Sequence, residues 1–183
     1  ISTEMPDSIR RLTLSGALWL LDQSPPINAS SKSGAYRTVN RETIKNRWLL
    51  NLSDAQKKAI TEPEDIDRWI QAVMESDPQS IQSGSKELRA PAGVIKDLQE
   101  YWCKGTPTYS PKKIKCPVLI IRGEHDGIAT EEDLLNYFDN LQTNDKQFVI
   151  IPGLAHVTFL GINRARLWHV MKNFLVTPER VDY

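Results

Sequence analysis

Two ionisable residues follow apolar runs in this sequence, and their types suit proton transfer. Val118-Leu-Ile-Ile-Arg-Gly123 is nearly continuous in apolar residues and leads into Glu124-His-Asp126-Gly127. Phe148-Val-Ile-Ile-Pro152 leads into Gly153-Leu-Ala-His156. In open α/β sheets, functional groups sit beyond the carboxyl ends of the strands. An Asp beside a His at that rim accepts a hydrogen bond from one ring nitrogen and fixes the tautomer. It also stabilises the imidazolium formed when the other nitrogen takes a proton from a nucleophile. Each residue alone has a plainer reading. Asp-Gly after a strand is a common turn, because Asp bonds its own backbone and Gly relieves strain. A lone His in a glycine-containing loop serves packing or faces solvent. Their joint placement at consecutive strand ends makes Asp126 and His156 the candidate catalytic residues.

Those loops need a sheet and crossover helices to bring them together. Apolar runs such as Cys116 to Arg122 and Gln147 to Pro152 suit strands buried on both faces of a parallel sheet. Between them, Thr130-Glu-Glu-Asp133 caps a helix whose stripe is Leu134, Leu135, Phe138 and Leu141. Asn163 to Leu175 forms a last helix, with Leu167, Val170, Met171 and Phe174 on one side. Strand, helix, strand, helix at this spacing indicates an α/β sheet with right-handed crossovers.

The upstream part is organised differently. Pro6-Asp7 announces a β-type run over Ser8 to Gly16, extended by Ala17 to Leu21 and broken by Asp22-Gln-Ser-Pro-Pro26. Ile27 to Tyr36 reads as a loop. Asn40 to Leu52 reads as a helix with Ile44, Trp48 and Leu49 on one face. Ser53 or Thr61 can open the next, and Thr61-Glu-Pro-Glu64 has the form of a capping box with Pro63 in the first turn. Ile66, Trp69, Ile70 and Val73 make its stripe, and Ser76-Asp-Pro78 ends it. Val94 to Trp102 is a further amphipathic helix. The segment from 27 to 105 is therefore expected to hold helices and loops without a strand.

Composition bounds the function. The chain has 183 residues, 40% hydrophobic and 25% charged, and its 23 basic residues offset its 23 acidic ones. This is globular composition in a length suited to one domain or part of a larger one. Zero net charge without a basic run argues against a nucleic-acid partner. No run of apolar residues is long enough to span a membrane, and the first residues lack a secretory signature. Cys103 and Cys116 form neither a disulfide framework nor a metal site and read as two thiols in a reducing compartment, with one bridge as the alternative. A cytoplasmic location is the corresponding expectation. Three scattered histidines make no ligand set, and there is no Gly-rich phosphate loop, so neither a metal nor a cofactor is expected.

Taken together, the residues around the two candidates resemble the α/β-hydrolase fold. Pro117-Val-Leu-Ile-Ile-Arg-Gly-Glu-His-Asp126-Gly-Ile-Ala-Thr130 looks like its penultimate-strand region, which carries the acid of a Ser/Asp/His triad. Ile150-Ile-Pro-Gly-Leu-Ala-His156 is similar to the following strand and its histidine loop, and the order of acid before histidine matches. The resemblance is specific over about residues 107 to 175. It implies that residues 1–26 hold the strand following the nucleophile helix, 27–106 a helical cap, and 107–183 the C-terminal segment with the acid and histidine loops. About three mostly parallel strands of the sheet are expected.

The nucleophile elbow, Gly-x-Ser-x-Gly, has no match. Ser15 follows Leu14, and Ser33 and Ser85 lie in polar loops without the flanking glycines. The chain also begins at Ile1 rather than Met. The resemblance thus implies a serine-hydrolase-type protein acting on an ester, thioester or amide through an acyl-enzyme, with a small-molecule acyl substrate. The nucleophile is expected on a missing N-terminal half of the fold, as a cleaved or separate polypeptide. A non-catalytic binding or scaffold protein derived from the fold is the alternative. Trp19, Trp48 and Trp102 are candidate substrate contacts in or near the cap, against the simpler reading of aromatic core anchors. Trp69 reads as core, His125 as pointing away from the site, and His169 as a surface residue.

Overall fold

The computed structural model describes residues 2–20 and 34–178. The readings made for Ile1, for Leu21, for the break over Asp22 to Pro26, for the loop before Gly34 and for Ser33 lie outside these residues.

Three parallel strands carry the site: β1 (Leu12–Ser15), β4 (Val118–Gly123) and β5 (Lys146–Ile151), in the order β1-β4-β5. Leu12 pairs with Val118 and Ser15 with Ile121, while Val118 pairs with Lys146 and Gly123 with Ile151. The carboxyl ends of all three strands therefore lie along one rim. The period-two alternation of β4 divides its side chains between two cores. Val118 and Ile120 pack with Leu134, Tyr137 and Leu141, mostly from α6 (Glu131–Asn140). Leu119 and Ile121 pack on the other face with Leu167 and Phe174 from α7 (Arg164–Val176). These four β4 side chains are all 0% exposed, each worth about 1.5–3 kcal/mol of gross apolar burial.

The central strand is buried as its apolar run predicts, but β5 is not. It lies at the edge of the three-stranded sheet among the described residues, and only Ile151 is fully buried, with Ile150 exposed. An apolar run reports strand content; it does not report which faces are covered. Upstream, Pro6–Ser8 is a single 3₁₀ turn, so the first strand is shorter than its β-type run suggests.

The intervening region holds α1 (Arg41–Trp48), α2 (Asp54–Ile60), α3 (Pro63–Met74), α4 (Pro78–Ser83) and α5 (Gly93–Glu100). It also holds two strands that the sequence did not announce. β2 (Tyr36–Asn40) and β3 (Glu87–Pro91) pair antiparallel, with Val39 opposite Leu88. Each buries one apolar residue only, and the partners are separated by four helices, so neither periodicity nor a hairpin turn betrays them. Asp77, before α4, anchors β3. Its carboxylate accepts from the Arg89 backbone N–H at 2.9 Å, from Arg89 Nε at 3.0 Å and from Arg89 Nη2 at 2.7 Å.

Capping follows side-chain chemistry. Ser53 and Gln56 form a full capping box at α2, and Thr130 caps α6 by accepting from the Asp133 N–H. Thr61 does not cap α3. Its hydroxyl donates to the Lys57 carbonyl at 2.5 Å, and Pro63 starts the helix from an extended Glu62. Asp133 itself ties α6 to the segment after β1, accepting from the Trp19 and Leu20 N–H groups at 2.9 and 2.7 Å.

Candidate active site

The acid loop leaves β4 through a turn closed by the Asp126 N–H donating to the Gly123 carbonyl at 3.1 Å. Asp126 then folds its side chain back over the loop. Oδ1 accepts from the N–H groups of Ile128 at 2.9 Å and Ala129 at 2.8 Å. Arg122 holds the same loop from the outside, its guanidinium donating to the carbonyls of Gly123, Glu124, Asp126 and Ala129 at 2.9–3.0 Å. A planar fork with five donors suits four converging carbonyls. In the sequence Arg122 is simply the end of an apolar run; nothing in one dimension marks it as the clamp.

The histidine loop docks directly on the acid loop. The His125 N–H donates to the Leu154 carbonyl at 2.9 Å, and the Gly153 N–H donates to Glu124 Oε2 at 2.9 Å. A Cβ on Gly123 would lie 2.5 Å from the Leu154 oxygen and 2.6 Å from that of Ala155. The close approach thus requires glycine at the end of β4. Across this contact, His156 Nδ1 lies 3.0 Å from Asp126 Oδ1 and 3.1 Å from Oδ2. The Asp126 side chain is 0% exposed and that of His156 20%. An ionised carboxylate only accepts, so a neutral imidazole facing it presents Nδ1–H and keeps its lone pair on Nε2.

The end of β1 completes the rim. Gly16, at φ +59°, sits against His156, with the His156 carbonyl 3.2 Å and ring Cε1 3.4 Å from where a Cβ would be. Ser15 Oγ lies 3.0 Å from the buried Thr158 hydroxyl. The helical region reaches the site as well. The Trp48 indole N–H donates to the Val157 carbonyl at 3.2 Å, and the Ile162 N–H donates to the Ile60 carbonyl at 2.9 Å.

A cavity of about 310 Å³ opens beside His156 and Val157, walled by Trp48, Trp69, Arg37, Arg47, Leu88 and neighbouring apolar side chains. A larger cleft of about 670 Å³, lined by the start of α1 and the end of α3, contains neither Asp126 nor His156. The smaller cavity is the one adjacent to the ionisable pair. Of the three tryptophans singled out as substrate contacts, only Trp48 reaches it. Trp19 is buried in the core below α6, edge-on to Tyr137 at 5.6 Å between ring centres. Trp102 packs on Ile95 and Leu98 of α5. Trp69 packs on the core formed by Trp48, Ile66 and Ile70, as its stripe suggests, and also lines the cavity, tilted against Trp48 at 6.5 Å. His125 sits 3.5 Å from Glu124 and His169 on the surface beside Asn173. Cys103 and Cys116 are both free, and burial pushes each thiol up. Among the described residues, no group of three His, Cys, Asp or Glu side chains could hold a metal ion, and no helix is long and apolar enough to cross a membrane.

Parallel strands flanked by α6 and α7, with an Asp and a His at neighbouring strand ends, define an α/β-hydrolase type of fold. Solved structures with that fold match the chain. A monoacylglycerol lipase from Paleococcus ferrophilus is 17% identical with a TM-score of 0.56, covering 93% of this chain and 60% of its own. A serine hydrolase involved in carbazole degradation, the CarC enzyme, is 15% identical with a TM-score of 0.57, covering 95% and 57%. An α/β-hydrolase fold protein from Chitinophaga pinensis is 16% identical with a TM-score of 0.51, covering 97% and 60%. The chain has the α/β-hydrolase fold, and it spans about three-fifths of the length of these relatives. No protein-family model and no curated protein matches the sequence.

Proposed function

We propose that this chain supplies the acid and the histidine of a serine-hydrolase-type site that cleaves an ester, thioester or amide of a small acyl substrate. The observation that carries the reading is the hydrogen bond from His156 Nδ1 to the fully buried Asp126 carboxylate. The nucleophile belongs to the part of the fold that the chain does not span. His156 Nε2 takes the hydroxyl proton as that oxygen attacks the substrate carbonyl, and Asp126 stabilises the imidazolium. The imidazolium then protonates the leaving alcohol, thiol or amine, which departs and leaves the acyl-enzyme. In the second half the same nitrogen deprotonates water as it attacks the acyl carbonyl, then gives that proton to the departing nucleophile oxygen, and the acid product is released.

Three features support an acid–base role over a merely structural pair. Arg122 and two backbone N–H groups fix the acid loop without occupying the His156 face of the carboxylate. Nε2 is left free of Asp126. The ring borders a cavity of a size suited to a small ligand. The relatives with this fold include a lipase and a serine hydrolase, which agrees with acyl transfer.

Fluorophosphonate labelling of the native protein that contains this chain tests the proposal. The expected result is a labelled serine whose labelling disappears on His156→Ala. Labelling that is absent, or indifferent to His156→Ala, contradicts it and favours a binding protein.

A further inference from the structure

Arg37 and Arg47 are two cations that the proposed chemistry leaves unused. Arg37 lies on β2 and Arg47 in the last turn of α1, and both line the cavity that borders His156. Several other guanidiniums among the described residues have partners: Arg89 has Asp77, Arg68 and Arg164 share Asp65, and Arg122 has its four carbonyls. Neither Arg37 nor Arg47 has a carboxylate partner among the described residues, and Arg37 Nε is buried with no hydrogen-bond acceptor. Burial, and then the charge of Arg37, pull Arg47 below the usual guanidinium value. A guanidinium nevertheless stays charged. Two like charges in a partly desolvated wall, one with an orphaned donor, are unfavourable until an anion joins them.

The remainder of the cavity is apolar. Trp48 and Trp69 present a tilted aromatic pair, and Val73 and Leu88 add aliphatic surface. We infer that the cavity binds an acyl substrate carrying a terminal oxyanion, a carboxylate or phosphate, held by Arg37 and Arg47 with its apolar body against Trp48 and Trp69. The inference rests on the reading of His156 as the acid–base residue and names the substrate class of that site. The anionic end lies at β2 and α1, so the scissile carbonyl faces His156 from the other end of a short apolar linker. Arg37 and Arg47 are binding groups in this account and take no part in proton transfer.

Calorimetric titration of the native protein with phenylacetate, benzyl phosphate and uncharged phenylacetamide tests this without requiring turnover. At least one anion is expected to bind about tenfold or more tightly than the amide, since charge-assisted bidentate pairs are the stronger class. The tighter of the two anions identifies the oxyanion. In a double variant, Arg37→Gln with Arg47→Gln, the three ligands are expected to bind alike while the amide keeps its wild-type affinity. If that variant does not fold, raising the salt concentration on wild type must shrink the gap between anion and amide. Equal binding of all three by wild type overturns the inference. So does a preference that survives both substitutions or is indifferent to salt. A wild type that shows no anion preference while fluorophosphonate labelling is intact removes this inference alone. An anion preference in wild type that the double variant abolishes, with no labelled serine, removes the hydrolase reading and leaves the anion site.

Discussion

Replacing Asp126 by Asn and by Ala separates what its carboxylate does for the loop from what it does for His156. In Asp126→Ala, the N–H groups of Ile128 and Ala129, two buried residues, lose their common acceptor. Each unpaired buried donor costs about 1–3 kcal/mol, so the loss is about 2–6 kcal/mol against a typical domain stability of about 5–15 kcal/mol. In Asp126→Asn, Oδ1 still accepts both N–H groups, and only the charge and the second oxygen change. The difference between a charge-assisted and a neutral hydrogen bond sets that loss at about 1–1.5 kcal/mol. The Asn amide nitrogen, however, now donates toward Nδ1. The imidazole must present a lone pair there and move its proton to Nε2, which removes the base that the nucleophile needs. Urea unfolding gives the two stability losses, and nitrogen NMR of the His156 ring gives the tautomer. The expected result is a loss for Ala at least about twice that for Asn, with Nδ1–H in wild type and Nε2–H in Asp126→Asn. An unchanged tautomer in the Asn variant, or equal losses for Asn and Ala, would refute this account of the pair.

Two further expectations follow from the packing and the charges. Gly123→Ala drives a methyl group into two backbone carbonyls that cannot rotate away, so it should cost about 3 kcal/mol, the upper end of ordinary overpacking. Gly93→Ala, with nothing within 4 Å of its new Cβ, should be neutral or slightly stabilising by the same urea measurement. The side-chain bonds from Arg89 hold the Asp77 carboxyl well below the usual carboxylate range. A depressed folded-state value means that its stabilisation is complete above the unfolded value of 3.8 and drains away as pH falls below it toward the folded value. The urea midpoint of wild type should therefore drop more steeply below about pH 4 than that of Asp77→Asn; parallel profiles would remove Asp77 from the acid response.

What the sequence reveals follows from which forces act locally. β4 is legible because it is the central strand, covered on both faces by α6 and α7, so Val118 to Ile121 must all be apolar. Ser53 and Thr130 are legible because a cap is a contact within one turn. β2 and β3 are not, since each contributes one buried residue and four helices, not a turn, separate them. β5 looks the same as β4 in sequence although one side of it is open. At the site, Asp126 and His156 stand out because strand ends are local features and the two types suit each other. Their supports do not stand out. Arg122 works through four carbonyls, and Gly16 and Gly123 matter only where another loop comes close. Trp69 shows a further limit: a helical stripe identifies an inward-facing side chain, and cannot tell a neighbour from a cavity. Trp19 and Trp102 face inward too, and meet core.

The most direct measurement is the hydrolysis of a short-chain nitrophenyl ester by the native protein, compared between wild type and His156→Ala at matched folded fraction. An acid–base role for His156 predicts that kcat/KM falls by at least about 10³-fold. Equal kcat/KM in the two proteins would contradict it.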